Sequence, residues 1–286
     1  MLQVLVSGLQ VGSSYSLMAL ALVLVLKATD VPNFAQAEMG LLAVFVVWVG
    51  MNQLDLNYWF SVVLGLVAAV VLALVLERLL IRPIAGGTHF TSIFMTIGIF
   101  FTVNSVIALV WDSVPRSLDS PFTGTLRLGD AVVSKLSLVA IATGILVAIA
   151  LEIFFRSRMG VQMRAVAENA ELPRLLGVKL GHVFAIAWGM AACIACIAVL
   201  LTAQANILND QAAQTLILTG FVAATFGGFS SIAGAMLGGL FLGVVENLAG
   251  TYISTAAASA TSLLVVVGVL LLKPEGVLGE MRSREI

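Results

Sequence analysis

Nine apolar segments parted by short polar breaks limit what this chain can fold into. They fall at residues 2–26, 33–51, 58–80, 91–111, 136–155, 183–203, 213–226, 232–250 and 258–272. Most approach or exceed the ~20 residues that cross a bilayer core. Only 10% of the residues are charged, against about 25% in a soluble domain, so most of the surface meets lipid. The fold class is all-α: a polytopic helical membrane protein of about 8–9 spans in one domain, residues 1–286. Short or broken helices are expected around a central path. The net charge of −1 excludes a nucleic-acid footprint.

One long stretch interrupts the apolar pattern. Residues 155–183, FRSRMGVQMRAVAENAELPRLLGVKLGHV, hold five of the 14 basic residues. Its polar part, residues 156–182, fixes direction if it is cytoplasmic. Eleven basic residues then lie on its side and three, Arg116, Arg127 and Lys135, on the other. This positive-inside bias predicts an outer N-terminus and a cytoplasmic C-terminus. No basic region precedes the first apolar run, so that run is read as a retained span.

Several spans carry polar groups that lipid cannot satisfy. Gln3, Ser7, Gln10 and Ser14 share one face of the first helix, for helix–helix hydrogen bonding or for substrate contact. Pro32 and Asn33 break the chain before Gln36 and Glu38. Glu38 either marks a path or polar contact or lies at the cytoplasmic interface. Thr102 and Asn104 sit in the fourth span, and Asn104 is expected to face inward. Residues 112–135 are rich in turn formers and read as an irregular external loop. It caps the protein, receives an extracellular donor, or simply connects. The segment 213–226 is short. It runs through Phe226, Gly227 and Gly228 into GxxxG pairs at Gly234/Gly238 and Gly239/Gly243, a pattern that points to broken helices around a transport path. Glu246 faces the path or the outer interface. Cys193 and Cys196 read as packing residues.

Within the polar stretch, apolar positions such as Met163, Val166, Leu172 and Leu175 alternate with Arg164, Glu168, Glu171 and Arg174. That spacing suits two short amphipathic helices parted near Asn169, the second closed by Gly177. Their mixed charge favours docking into a protein groove over lying on headgroups.

These residues resemble a known family. FRSRMGVQMRAVAENAELPRLLGV resembles the cytoplasmic coupling region of bacterial ABC-importer permeases of the branched-chain amino-acid type. SGLQVGSSYSLMALALVLVLKATDVPNFAQAEMG resembles the family's opening, ERLLIRPI its ERxxxRP segment, FVAATFGGFSSIAGAMLGGLFLGVVENL its glycine-rich block, and LLKPEGVLG its terminal motif. Together they favour the LivH-like subunit over the longer LivM-like one.

The resemblance implies an inner-membrane permease that forms the translocation path with a second LivM-like permease. Two ABC ATPases would drive it, and a periplasmic binding protein would deliver substrate. The resemblance carries over Asn33, Phe34 and Glu38 beside the path and Arg164, Glu171 and Gly177 in the coupling motif. With the residues singled out by polarity and spacing, the candidate path is Gln10, Ser14, Asn33, Phe34, Gln36, Glu38, Thr102, Asn104, Phe226, Gly227 and Gly228, and the candidate ATPase-coupling set is Arg158, Arg164, Glu168, Glu171, Leu172, Arg174, Leu175 and Gly177.

No cofactor or metal is expected. The chain has no GxxxxGK[ST] and so cannot hold ATP in the P-loop manner. It also lacks HExxH, GxSxG and paired-aspartate motifs, which argues against an enzyme. Gln36 and Ala37 stand where the family has histidine and glycine, Pro173 where it has alanine, and Thr219 where lysine is common. The family also carries urea, amides and aromatic acids. An ion-coupled secondary transporter using Glu38, Glu152 or Glu246 is the alternative.

Overall fold

The computed structural model describes residues 1–84, 88–112, 114–128, 131–168, 171–273 and 275–279. Its helices are α1 Leu2–Thr29, α2 Gln36–Asn52, α3 Tyr58–Leu76, α4 His89–Trp111, α5 Lys135–Arg156, α6 Arg158–Glu168, α7 Glu171–Leu175, α8 Leu180–Ala205, α9 Asp210–Gly227, α10 Ile232–Tyr252 and α11 Thr255–Leu272. Helix α3 is extended by a π turn and a 3-10 turn to Ile84. Among the described residues, seven helices are long and apolar enough to cross a membrane: α1, α3 with its extension, α4, α5, α8, α10 and α11. Helix α2 has 17 residues and α9 has 18, about 25 and 27 Å of rise. The chain is a multi-pass helical membrane protein.

Helix α1 is the axis of the bundle. It packs on α10, α8, α9 and α5, and its residues from Gly12 to Val25 are buried. The closest seam runs against α10. A Cβ at Gly12 would lie 2.8 Å from the Gly239 carbonyl oxygen, and one at Gly243 would collide with the Gly12 backbone. The Ser16 hydroxyl donates to the carbonyls of Gly12 (2.8 Å) and Met236 (2.7 Å). The Asn247 amide donates to the Val4 carbonyl at 3.1 Å. Without a hydrophobic drive between helices in lipid, such small-residue contact and interhelical bonding hold spans together.

The second glycine pair turns the other way. A Cβ at Gly238 would strike the Ala223 carbonyl of α9. The glycines at 234–243 therefore do not break a helix, contrary to the sequence expectation. They lie inside an unbroken α10, and the break is confined to residues 228–231. The other expected break is narrower too: residues 30–35 leave the helix, whereas Gly40 sits within α2 against the Ala195 carbonyl of α8.

Large apolar side chains are exposed on the outer helices: Val67 and Val71 on α3, Leu146 and Ile149 on α5, Leu264 and Leu271 on α11. The loop at 112–135 is not wholly irregular. It holds a small antiparallel hairpin, β1 Thr125–Leu128 with β2 Ala131–Ser134, paired from Thr125↔Ser134 to Leu128↔Ala131. Apolar residues flank Arg127 there, a period-2 signal that the turn formers overshadow. Cys193 and Cys196 are unpaired within α8.

Candidate functional site

A cavity of about 330 Å³ opens between α1, the end of α8 and the start of α9. Helix α1 contributes Gln10, Ser14 and Tyr15 to its wall. The far side is Thr202, Asn206, Asn209, Gln211 and Thr215. Gln10 is steadied by the Ser137 hydroxyl of α5, which donates to its amide oxygen. Thr202 and Thr215 donate back to the carbonyls of Ala198 (2.8 Å) and Gln211 (2.9 Å). Such back-bonding satisfies each hydroxyl proton and leaves its oxygen able to accept. Asn209 caps α9, accepting from the Ala212 amide at 2.7 Å. No charged side chain among the described residues lines this space. Two acids lie close by but off its wall. Glu246 stands beside Tyr15, and Asp210 lines a separate small cleft with Asn104 and Asp112.

Of the sequence-predicted path residues, the fold brings Gln10 and Ser14 to this cavity. Asn33, in the break before α2, and Gln36 and Glu38, in its first turn, lie elsewhere, and all three are fully buried. Asn33 donates to the Gln36 amide oxygen at 2.8 Å and accepts from the Ala35 amide at 3.0 Å. It thereby stabilises an irregular turn. Glu38 occupies the first turn of α2, where a helix dipole favours negative charge. Neither of its oxygens has a hydrogen-bond partner among the described residues. The interfacial, water-exposed reading of Glu38 is overturned, because it is 0% exposed. Thr102 lies on the exposed side of α4 and bonds back to the Gly98 carbonyl.

Phe34, from the first break, stacks on Phe221 of α9 with ring centroids 5.0 Å apart, and Phe229, from the second break, lies 6.3 Å from the same ring. Phe226 stacks on Phe241 of α10 at 4.6 Å. Gly228 adopts φ +96°, open to glycine without strain. The segment 275–279 seals this turn. Val277 donates its amide to the Phe226 carbonyl (2.7 Å) and Leu278 to the Gly227 carbonyl (3.2 Å). The carbonyls that end α9 would otherwise lack partners. Phe226, Gly227 and Gly228 therefore stand about 16 Å of helix rise beyond Thr215, away from the cavity.

At this end of the bundle α6 folds back on α5. A Cβ at Gly160 would collide with Phe155 and Phe154, so only glycine permits the corner. Met163 and Val166 are buried inward, and α6 rests on α1, α5 and α8. Arg158 and Arg164 face outward. Helix α7 presents Leu172 and Leu175 at 61% and 83% exposure, and Leu176 just after it is 85% exposed. Gly177, at φ +84°, ends it, as the sequence predicts. Asn169 lies outside the described residues, as do the side chains of Glu168, Glu171 and Arg174.

A model of the family "Branched-chain amino acid transport system / permease component" matches residues 4–273. The chain belongs to this family. It is 30% identical to the high-affinity branched-chain amino acid transport permease BraD of Pseudomonas aeruginosa, covering 100% of this chain and 98% of that one. It is 31% identical to the Escherichia coli permease LivH over 100% and 97% of the two chains. Among solved structures, PsaBC from Streptococcus pneumoniae in complex with Fab shares the fold at a TM-score of 0.51 and 12% identity, covering 96% of this chain and 92% of that one. This permease thus has a transport role and not an enzymatic one, and the ion-coupled alternative is set aside.

Sequence reasoning missed part of the cavity wall of this permease. In sequence, Asn206, Asn209 and Gln211 carry no path signal, because with Asp210 they look like solvent-exposed turn formers. The available signal was Gln211 and Thr215, one helical turn apart at the head of a short span. In sequence, Arg82 stands out only as part of the ERxxxRP resemblance. It binds Glu77 through two contacts of 2.9 Å and donates to the Gly181 carbonyl at 2.8 Å, which staples α3 to the start of α8. Arg116 was overlooked as well. Its backbone exchanges hydrogen bonds of 3.0 and 2.9 Å with Leu208, and its guanidinium stands 4.2 Å from the Trp48 ring centre.

Proposed function

We propose that this chain is a membrane subunit of an ABC importer for branched-chain or related amino acids in a bacterial inner membrane. Its N-terminus is periplasmic and its C-terminus cytoplasmic. Paired with a second LivM-like permease, it forms the translocation path, and the cavity at Gln10, Ser14, Gln211 and Thr215 is its share of that path. Polar residues on the open side of α1, Gln3 and Ser7, need a neighbour that lipid does not provide. A periplasmic binding protein delivers substrate on the side of residues 112–135.

The α6–α7 face takes one of two ATPases. Exposed leucines beside outward arginines suit a groove with an acidic rim. One observation carries the coupling: α6 touches both α1 and α8, and the far ends of those two helices line the cavity. A push on α6 is therefore delivered to two walls of the cavity at once. Rigid helices rocking about a fixed site are a common form of alternating access.

The test is ATP-driven uptake by the reconstituted complex. Leu175→Asp and Arg164→Glu are expected to abolish uptake and to release the ATPase on purification, with normal amounts of permease in the membrane. Uptake equal to that of the parent in both variants would overturn the assignment. A Leu175→Cys variant labelled from the periplasmic side alone would overturn the orientation.

A further inference from the structure

The staple at Arg82 has a counterpart at the other end of the same helix pair. Among the described residues, α3 with its extension and α8 are hydrogen-bonded to each other at both ends. Arg82 donates to the Gly181 carbonyl at 2.8 Å, and the Gln204 amide donates to the Tyr58 hydroxyl at 2.9 Å. We propose that Arg82 is a positioning residue for transport: it pins the head of α8 to α3, so that the two helices move as one rigid body when an ATPase displaces α7. The proposal rests on the docking of an ATPase at the α6–α7 face.

The first observation is the turn that aims Arg82. Residues five apart stand ~140° apart around a regular α-helix, so Glu77 and Arg82 would face different ways. The π turn at Glu77–Ile81 removes that offset. Its closing bond runs from the Arg82 amide to the Glu77 carbonyl, the i→i+5 pattern of a π turn, a rare geometry that is frequent at functional sites. Both side chains then share one face, and the guanidinium grips the carboxylate through Nε and Nη2, each at 2.9 Å. Glu77 is 1% exposed. Parting the pair would leave a buried charge uncompensated, so the fork stays fixed to α3 while its Nη2 holds α8.

The second observation is the fit at Gly181. A Cβ there would lie 2.8–3.0 Å from the guanidinium carbon and its two terminal nitrogens. Glycine lets the fork lie flat on the head of α8. That head follows α7 after four residues, and the connection is itself bonded. The Val178 amide donates to the Pro173 carbonyl and the His182 amide to the Lys179 carbonyl, both at 2.9 Å. A displacement of α7 therefore arrives at Gly181.

The third observation lies between the two pins. A Cβ at Gly189, midway along α8, would meet only Val70 of α3, at 3.8 Å. Apolar faces in lipid have no hydrophobic drive to hold their register, so the polar ends must hold it. At the outer end Gln204 stands beside Thr202 and Asn206 of the cavity wall.

Two variants release the inner pin in different ways. Glu77→Leu/Arg82→Met removes the whole ion pair, an exchange that is often neutral or stabilising at a buried site. Gly181→Ala pushes the guanidinium off α8 and leaves Glu77 paired. Leucine uptake and ATP hydrolysis are measured together on the full complex in proteoliposomes. The double variant is expected to hydrolyse ATP within twofold of the parent and to take up at least threefold less leucine per ATP. A smaller loss per ATP overturns the proposal. So does a parallel fall of uptake and hydrolysis, which a merely structural role predicts. Should the double variant fail to reach the membrane, Gly181→Ala is read by the same criterion.

The motion is read separately by spin labels at Val63→Cys and His182→Cys, exposed on α3 and at the head of α8, with Cys193 and Cys196 replaced by alanine. With the pin intact, the distance distribution should be the same in nucleotide-free and ATP-trapped complexes. With the pin removed, it should shift or broaden between them. A change with the pin intact, or none with it removed, overturns the rigid pair. Absence of ATPase subunits from the purified parent would count against the docking reading, whereas normal coupling in parent and variant alike counts against the pin alone.

Discussion

Replacing Gly239 by alanine adds one methyl group at the close-packed seam between α1 and α10. That carbon would lie 2.4 Å from both the amide nitrogen and the hydroxyl of Ser16. Neither atom is free to retreat, since Ser16 is buried in α1 and its hydroxyl is already committed to Gly12 and Met236. Relief requires α10 to move away from α1. Overpacking of this kind costs about 1–3 kcal/mol, which lowers the melting temperature by about 2–10 °C. Gly98→Ala is the matched control, because a Cβ there meets nothing within 4 Å. It removes a helical glycine and should gain about 0.5–1 kcal/mol. Thermal melts of the detergent-solubilised protein, followed by the fraction that stays monodisperse, should separate the two variants in opposite directions. Uptake by Gly239→Ala should fall further than its abundance, since α1 carries Gln10 and Ser14. Equal melting of Gly239→Ala and Gly98→Ala would refute the argument that backbone approach at this seam holds the bundle together.

Glu77→Ala leaves Arg82 without its bidentate partner. Because the guanidinium still reaches water, the loss should be about 1–2 kcal/mol, between that of an exposed pair and that of a fully buried one, read as a lower melting temperature. Asn33→Ala strips the turn before α2 of its side-chain bonds in a fully buried place. It should cost about 1–3 kcal/mol and reduce membrane abundance, whereas Asn52→Ala, on an exposed helix end, should not. Arg116→Ala removes the cation above Trp48 and should shift the tryptophan emission, while the backbone pairing with Leu208 keeps the fold intact.

The spans were legible because lipid demands long apolar runs, and their limits fall within a few residues of the helices observed. Gly177 as a helix end was legible because a left-handed residue there favours glycine. Ser14 was legible because a polar stripe at helical spacing has few uses inside a membrane. What the residue pattern could not give was which partner each polar group meets. Glu38 and Gln10 look alike as polar residues in apolar runs. One is sealed inside the turn that starts α2, and the other borders open space. The GxxxG pairs misled in a similar way. Glycine lowers helix propensity, yet here α9 and α1 press on those positions and keep α10 continuous. Neighbours on other helices, from 15 residues away (Ala223 against Gly238) to more than 220 (Gly12 against Gly243), decide both outcomes.

Helix α2 also constrains how the molecule is made. Its Gly40 side and the buried Glu38 are completed by α8 and α9, which leave the ribosome about 150 residues later. At bacterial or eukaryotic synthesis speeds that is roughly 8–30 s. Throughout that interval a carboxyl group sits in the nascent hairpin with its eventual cover still untranslated.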